Sequence, residues 1–130
     1  MLNFAGDGID LDWEHLSHHV GSRTQRNVFA KVLLKLRTAL DSAGLHEKQI
    51  GFTTRHNAFW GGANRPAGFT PFGSDGEGLD IDSELKKSGS SINQVVDWVN
   101  IMMYDETPNA MGSTTGTITL ETYKQVMTEV

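Results

Sequence analysis

The chain contains no cysteine, so it has no disulfide framework, no Cys-ligated zinc and no thiol nucleophile. It is short of positive charge: 11 Lys and Arg stand against 16 Asp and Glu, a net of −5. No basic block is present to neutralise phosphates, which excludes a nucleic-acid or anionic-membrane surface. No apolar run approaches the roughly 20 residues of a membrane span. Met1 leads into Leu2, Asn3 and Phe4 without a basic n-region, so no signal peptide is visible. That last absence carries no weight if the chain belongs to a longer polypeptide.

What is present suffices for one domain and not two: 130 residues, 38% of them hydrophobic and 21% charged. Three segments read as strands. The first covers Leu2 to Trp13, the second Gln49 to Thr54 and the third Trp98 to Tyr104. Ser22 stands three before Gln25, a capping-box spacing. Phe29, Val32, Leu33, Leu36 and Leu40 then recur at helical intervals, and Gly44 follows at a C-cap position. The spacing predicts a helix over 23–43.

From Arg55 to Gly89 the periodicity dissolves. Seven of the 14 glycines and two of the three prolines fall there, so the stretch reads as a long loop. Within it Asp82 or Ser83 caps a short turn to Lys87, and Ser91 caps another over Ile92 to Val96. Leu120, Tyr123, Met127 and Val130 predict a terminal helix. Alternating β and α units predict parallel strands with right-handed crossovers.

The most informative stretch is Asp7-Gly8-Ile9-Asp10-Leu11-Asp12-Trp13-Glu14. Side chains alternate along a strand, so Asp10, Asp12 and Glu14 share one face and Ile9, Leu11 and Trp13 the other. Neighbours on one face lie about 7 Å apart. Three ionised carboxylates in such a row repel, so at least one is expected to keep its proton, as general acid catalysis requires. The apolar face packs on helices, and the acids must point elsewhere, as into a barrel open at the strand's C-terminal end. Two other readings compete. A solvated acidic edge strand fits the same pattern. A calcium loop does not, because the spacing of the acids and the place of the glycine differ from the EF-hand order.

This stretch resembles the DGxDxDxE signature of the family 18 glycoside hydrolases, the chitinases, and matches it at every motif position. Asn100-Ile101-Met102-Met103-Tyr104-Asp105 resembles the same family's sixth-strand pattern, Met-x-Tyr-Asp. The resemblance implies an α/β fold, a partial (β/α)8 TIM barrel from about strand 4 to the helix after strand 6. Residues 1–130 are then one partial catalytic domain, and the remainder of the barrel lies in the same polypeptide. A whole barrel takes about 250 residues, so a fragment or truncated product is expected, inactive by itself.

The activity implied is hydrolysis of β-1,4 bonds in chitin or N-acetylglucosamine oligomers by a substrate-assisted retaining mechanism. Glu14 is then the general acid. Asp12 bonds the acetamido N–H and steadies the oxazolinium ion, and Asp10 shares a proton with Asp12. Tyr104 holds the acetamido oxygen, while Asp105 and Met102 shape the site around the sugar. Asp7 is expected to be structural. No metal or organic cofactor is implied, and a polymeric substrate implies secretion. Within the family an endo-β-N-acetylglucosaminidase acting on N-glycans is the alternative. Outside catalysis it is a chitin-binding lectin, against which the presence of Glu14 argues.

Trp60 and Phe59 are either sugar-stacking residues or anchors of the long loop. Trp13 and Trp98 read as core. Arg55 and Asn57 lie near enough to the second strand's end to reach a sugar. His15, His18 and His19 do not form an HExxH helix with Glu14, since the order is reversed; they read as polar loop residues.

Overall fold

The computed structural model describes residues 6–13, 22–61, 76–103, and 120, 121 and 124. The strands among them are β1 (Gly8–Asp12), β2 (Gln49–Arg55) and β3 (Trp98–Met102). They form one sheet in the order β1-β2-β3. Both pairings are parallel, with Gly8 opposite Gln49 through Asp12 opposite Thr53, and Gly51 opposite Trp98 through Arg55 opposite Met102. The expected α/β character and parallel sheet are therefore present. Parallel neighbours need crossover connections. Helix α1 (Ser22–Ser42) lies between β1 and β2 in the chain, and helices α2 (Glu77–Lys87) and α3 (Ile92–Val95) lie between β2 and β3.

One face of the sheet is dry. Ile50 and Phe52 of β2 are buried against Phe29, Ala30, Leu33 and Leu40 of α1, Ile81 and Leu85 of α2, and Val95 of α3. Leu11, Trp13 and Val99 pack at the margin of this core. The α1 stripe matches the predicted one except at Val32, which is exposed together with Val28. Arg26 takes the place of an apolar residue in the stripe, 6% exposed, and its Nη1 donates to Asp80 Oδ2 at 2.6 Å, tying α1 to α2. Gly44 ends the helix with φ of 73°, the left-handed C′ conformation that glycine adopts without a Cβ penalty. The Leu45 N–H reaches the Leu40 carbonyl at 2.9 Å and the Gly44 N–H the Asp41 carbonyl at 3.0 Å, the paired bonds of a Schellman turn.

The stretch read as a loop holds α2, eleven residues long. The misreading has a physical source: Gly76, Gly78 and Gly89 flank or enter the helix, and glycine weighs against helical propensity. The signals on the other side are Ile81 and Leu85 four apart, Glu77 and Asp80 in the first turn, and Lys86 and Lys87 in the last, which suit the helix dipole. Gly89 at φ 76° repeats the closing turn seen after α1. The third strand ends at Met102 rather than Tyr104 among the described residues. Of the predicted terminal helix, Leu120, Glu121 and Lys124 are helical; the rest lies outside the described residues.

Asp82 does not cap the turn that follows it. It reaches instead to α3, where its Oδ1 accepts the Ile92 N–H at 2.9 Å; Ser91 makes no side-chain cap bond there. Lys86 Nζ stands 2.6 Å from the other oxygen. Burial alone pushes the Asp82 carboxyl up, but the Lys86 hydrogen bond, the Ile92 N–H and the Lys86 charge outweigh it. They hold the group below its ordinary value of 3.8. A carboxyl depressed in the folded state contributes stability above its unfolded value and loses it as pH falls through the folded one. Asp82→Asn is therefore expected to lower the melting temperature near neutral pH, and the gap to the wild type to close below about pH 4. A gap unchanged by acid overturns this.

Candidate active site

The opposite face of the sheet carries the polar side chains. Period-two alternation and the register place Asp10, Gly51 and Trp98 in one row, and Asp12, Thr53 and Asn100 in the next. Arg55 and Met102 share the row beyond, toward the C-terminal ends of the strands. Three strands thus bring together the two described acids, one arginine and three residues of the Asn100–Asp105 segment and its approach. Ligands of parallel α/β sheets bind outside the carboxyl ends of the strands, and Asp12 is the last residue of β1.

The two aspartates differ in their surroundings. Asp10 Oδ2 accepts the Thr53 hydroxyl at 3.0 Å and the Asn100 Nδ2 at 3.0 Å. Asn100 Nδ2 also lies 3.4 Å from Thr53 Oγ1. One residue from each strand closes this triangle. Asp12 is exposed, and among the described residues its carboxylate has no hydrogen-bond or ion-pair partner. Among the described residues, Asp10 is engaged by two side chains and Asp12 by none.

Trp98 is not in the core. A Cβ built on Gly51 falls 2.2 Å from its Cε2 and 2.3 Å from its Nε1. The indole therefore lies on the sheet over Gly51, in the row of Asp10. Only glycine leaves room for a ring lying this close to the backbone. The expectation of a core Trp98 places it ahead of its strand, whereas it is the first residue of β3 and the register puts its side chain on the face of Asn100. Trp13 behaves as expected: its ring meets Phe29 edge-on, with centroids 5.5 Å apart.

Behind the C-terminal end of β2 lies a buried polar layer that composition did not reveal. Glu77, 3% exposed, accepts a hydrogen bond from the Thr54 hydroxyl and one from the Arg55 N–H at 3.4 Å. The backbone N–H groups of Trp60 and Gly76 both reach the Asn57 carbonyl at 3.1 Å. These bonds close the neck from which residues 62–75 depart and to which they return. Trp60 is 1% exposed and meets His56 edge-on at 5.1 Å. Of its two expected roles, burial supports the loop anchor, because a buried indole has no face to offer a sugar. Asn57 is fully buried and directed away from solvent, whereas Arg55 is half-buried on the acid face. Phe59 lines a shallow cleft with Ile92, Val96, Trp98 and Val99 beside β3.

Asp7 is exposed, and its carbonyl accepts the Gln49 N–H at 3.0 Å, helping to set the register of β1 on β2. Met102 is half-buried in β3. Glu14, Tyr104, Asp105 and His15, His18 and His19 lie outside the described residues. Thr53 is the site residue that sequence reasoning missed. A threonine on a strand reads as ordinary β propensity, and only the register sets it beside two acids.

Comparison with protein-family models, curated proteins and solved structures returns no match to this chain.

Proposed function

We propose that this chain is part of a retaining glycoside hydrolase that cleaves β-1,4 bonds between N-acetylglucosamine units, chitin or its oligomers being the substrate. The observation that supports the reading is the exposed carboxylate of Asp12 at the C-terminal end of β1, without a partner among the described residues, beside an Asp10 already engaged by Thr53 and Asn100. An acid of this kind suits a hydrogen bond to the acetamido N–H and the charge of an oxazolinium ion. The substrate's own acetamido oxygen is the nucleophile, and Glu14, two residues after Asp12, protonates the leaving oxygen. Tyr104 holds the acetamido oxygen, and Met102 and Asp105 border the sugar.

The site is completed by further βα units of a (β/α)8 barrel in the same polypeptide. In support, among the described residues β1 and β3 each have one unpaired edge. Val28 and Val32, four apart on α1, are 45% and 38% exposed, an apolar flank suited to a neighbouring helix. The acid face likewise lacks a covering layer among the described residues, as the lining of a barrel interior does in isolation. Such an enzyme, with an insoluble polymer as substrate, acts outside the cell.

The test is the substrate itself. The full-length polypeptide is expected to cleave N-acetylglucosamine oligomers and to release the β anomer, read by NMR before mutarotation. Fully de-N-acetylated oligomers of the same length lack the nucleophile and are expected to stay intact. Release of the α anomer, or equal cleavage of both substrates, overturns the mechanism.

A further inference from the structure

The triangle of Asp10, Thr53 and Asn100 has a fixed direction. The amide nitrogen of Asn100 only donates, and it points at both the Asp10 carboxylate and the Thr53 oxygen. The Thr53 hydroxyl, approached by that donor, directs its own proton to Asp10 Oδ2. Both donors therefore converge on one oxygen of one acid, from two different strands. Two donors from two strands therefore fix the position of this oxygen on the acid face. Asp12 lies in the same row as Thr53 and Asn100, one strand step beyond Asp10. Two carboxylates on one strand face repel, and without an anchor the Asp10 side chain and its neighbour would turn apart.

We infer that Thr53 and Asn100 are positioning residues that act through Asp10: they lock its carboxylate so that Asp12 keeps its place toward the reacting acetamido group. The inference rests on the glycosidase reading above and adds to it Thr53, which lies in neither motif stretch, and a role for Asn100, which opens the second. Acting through Asp10 rather than on the substrate, they are expected on removal to lower turnover and spare binding. A misplacement of about 1 Å in a reacting group costs about a hundredfold in rate.

The experiment measures kcat and KM of the full-length polypeptide on an N-acetylglucosamine oligomer for Thr53→Val, Thr53→Ser and Asn100→Ala, with thermal melting of each. Thr53→Val keeps the side-chain shape and deletes the hydroxyl. The expected result is a kcat lower by about tenfold to a hundredfold for Thr53→Val and Asn100→Ala, with KM within about twofold of the wild type. Thr53→Ser, which restores the hydroxyl, is expected to recover most of the loss. A purely structural role would not separate serine from valine in kcat at matched melting temperature. Wild-type kcat in both Thr53→Val and Asn100→Ala, or equal losses for valine and serine, overturns the inference alone. A wild-type polypeptide that cleaves no N-acetylglucosamine oligomer overturns the proposed function and the inference with it.

Discussion

Glu14→Gln is expected to remove about a hundredfold to ten-thousandfold of turnover on N-acetylglucosamine oligomers while the protein still binds them. The estimate follows from the role: a positioned general acid contributes about a hundredfold to ten-thousandfold, and glutamine keeps the shape while it has no acidic proton to give. The leaving oxygen then has to depart as an alkoxide, a poorer leaving group than the alcohol. In the proposed mechanism binding rests on other groups, Asp12 among them. Calorimetric titration of the variant with an oligomer, set beside its kcat in the full-length polypeptide, separates the two effects. Turnover at the wild-type rate would remove Glu14 from the acid's role. Loss of binding together with turnover would point to a fold defect instead.

Phe29→Ala is the substitution expected to cost most in stability. The ring is 1% exposed and stands between Trp13 at 5.5 Å and Phe52 at 5.7 Å, meeting both edge-on. Truncating a buried phenylalanine costs about 3–5 kcal/mol, as lost burial and as the cavity left behind. For a chain of this size that is a fall of roughly 10–20 °C in Tm. The consequence reaches the site, because Trp13 immediately precedes Glu14 in the chain. Phe29 is the ring against which Trp13 is packed, so the chain just after β1 loses that contact. Phe29→Leu, which refills much of the cavity, is expected to lie between the two in Tm. Thermal melting of the three proteins checks the order. A Phe29→Ala protein melting within a few degrees of the wild type would mean that the α1–sheet contact is not the core it is taken to be.

Both predictions depend on two kinds of information that became legible at different stages. The alternation of Ile9, Leu11 and Trp13 with Asp10 and Asp12 is a property of the chain. A strand has period two, so the dry face and the acidic face of β1 follow from residue order alone. The same holds for most of the α1 stripe, whose spacing matches a helix of 3.6 residues per turn. It holds too for the parallel order of the sheet, which alternating strands and helices impose. The acids of the candidate site were visible in this way.

Helix α2 was harder to see, because glycine and proline around it weigh against a helix and its apolar face is only Ile81 and Leu85 within the buried set. Tertiary burial against α1 outweighs that local preference. The placement of Trp98 and Trp60 likewise depends on tertiary structure. A large apolar side chain is expected in the core, but which face it takes depends on the strand register, and whether a loop aromatic is buried depends on how the loop closes.

Residue order by itself thus determined the strand faces, most of the α1 stripe and the row of acids, because these are local periodicities. Only the tertiary structure decided which acid is occupied. Thr53 and Asn100 stand 43 and 90 residues from Asp10 in the chain, and no periodicity connects them. The register of three parallel strands sets them side by side, and it is this pairing that engages Asp10 and, among the described residues, leaves Asp12 without a partner.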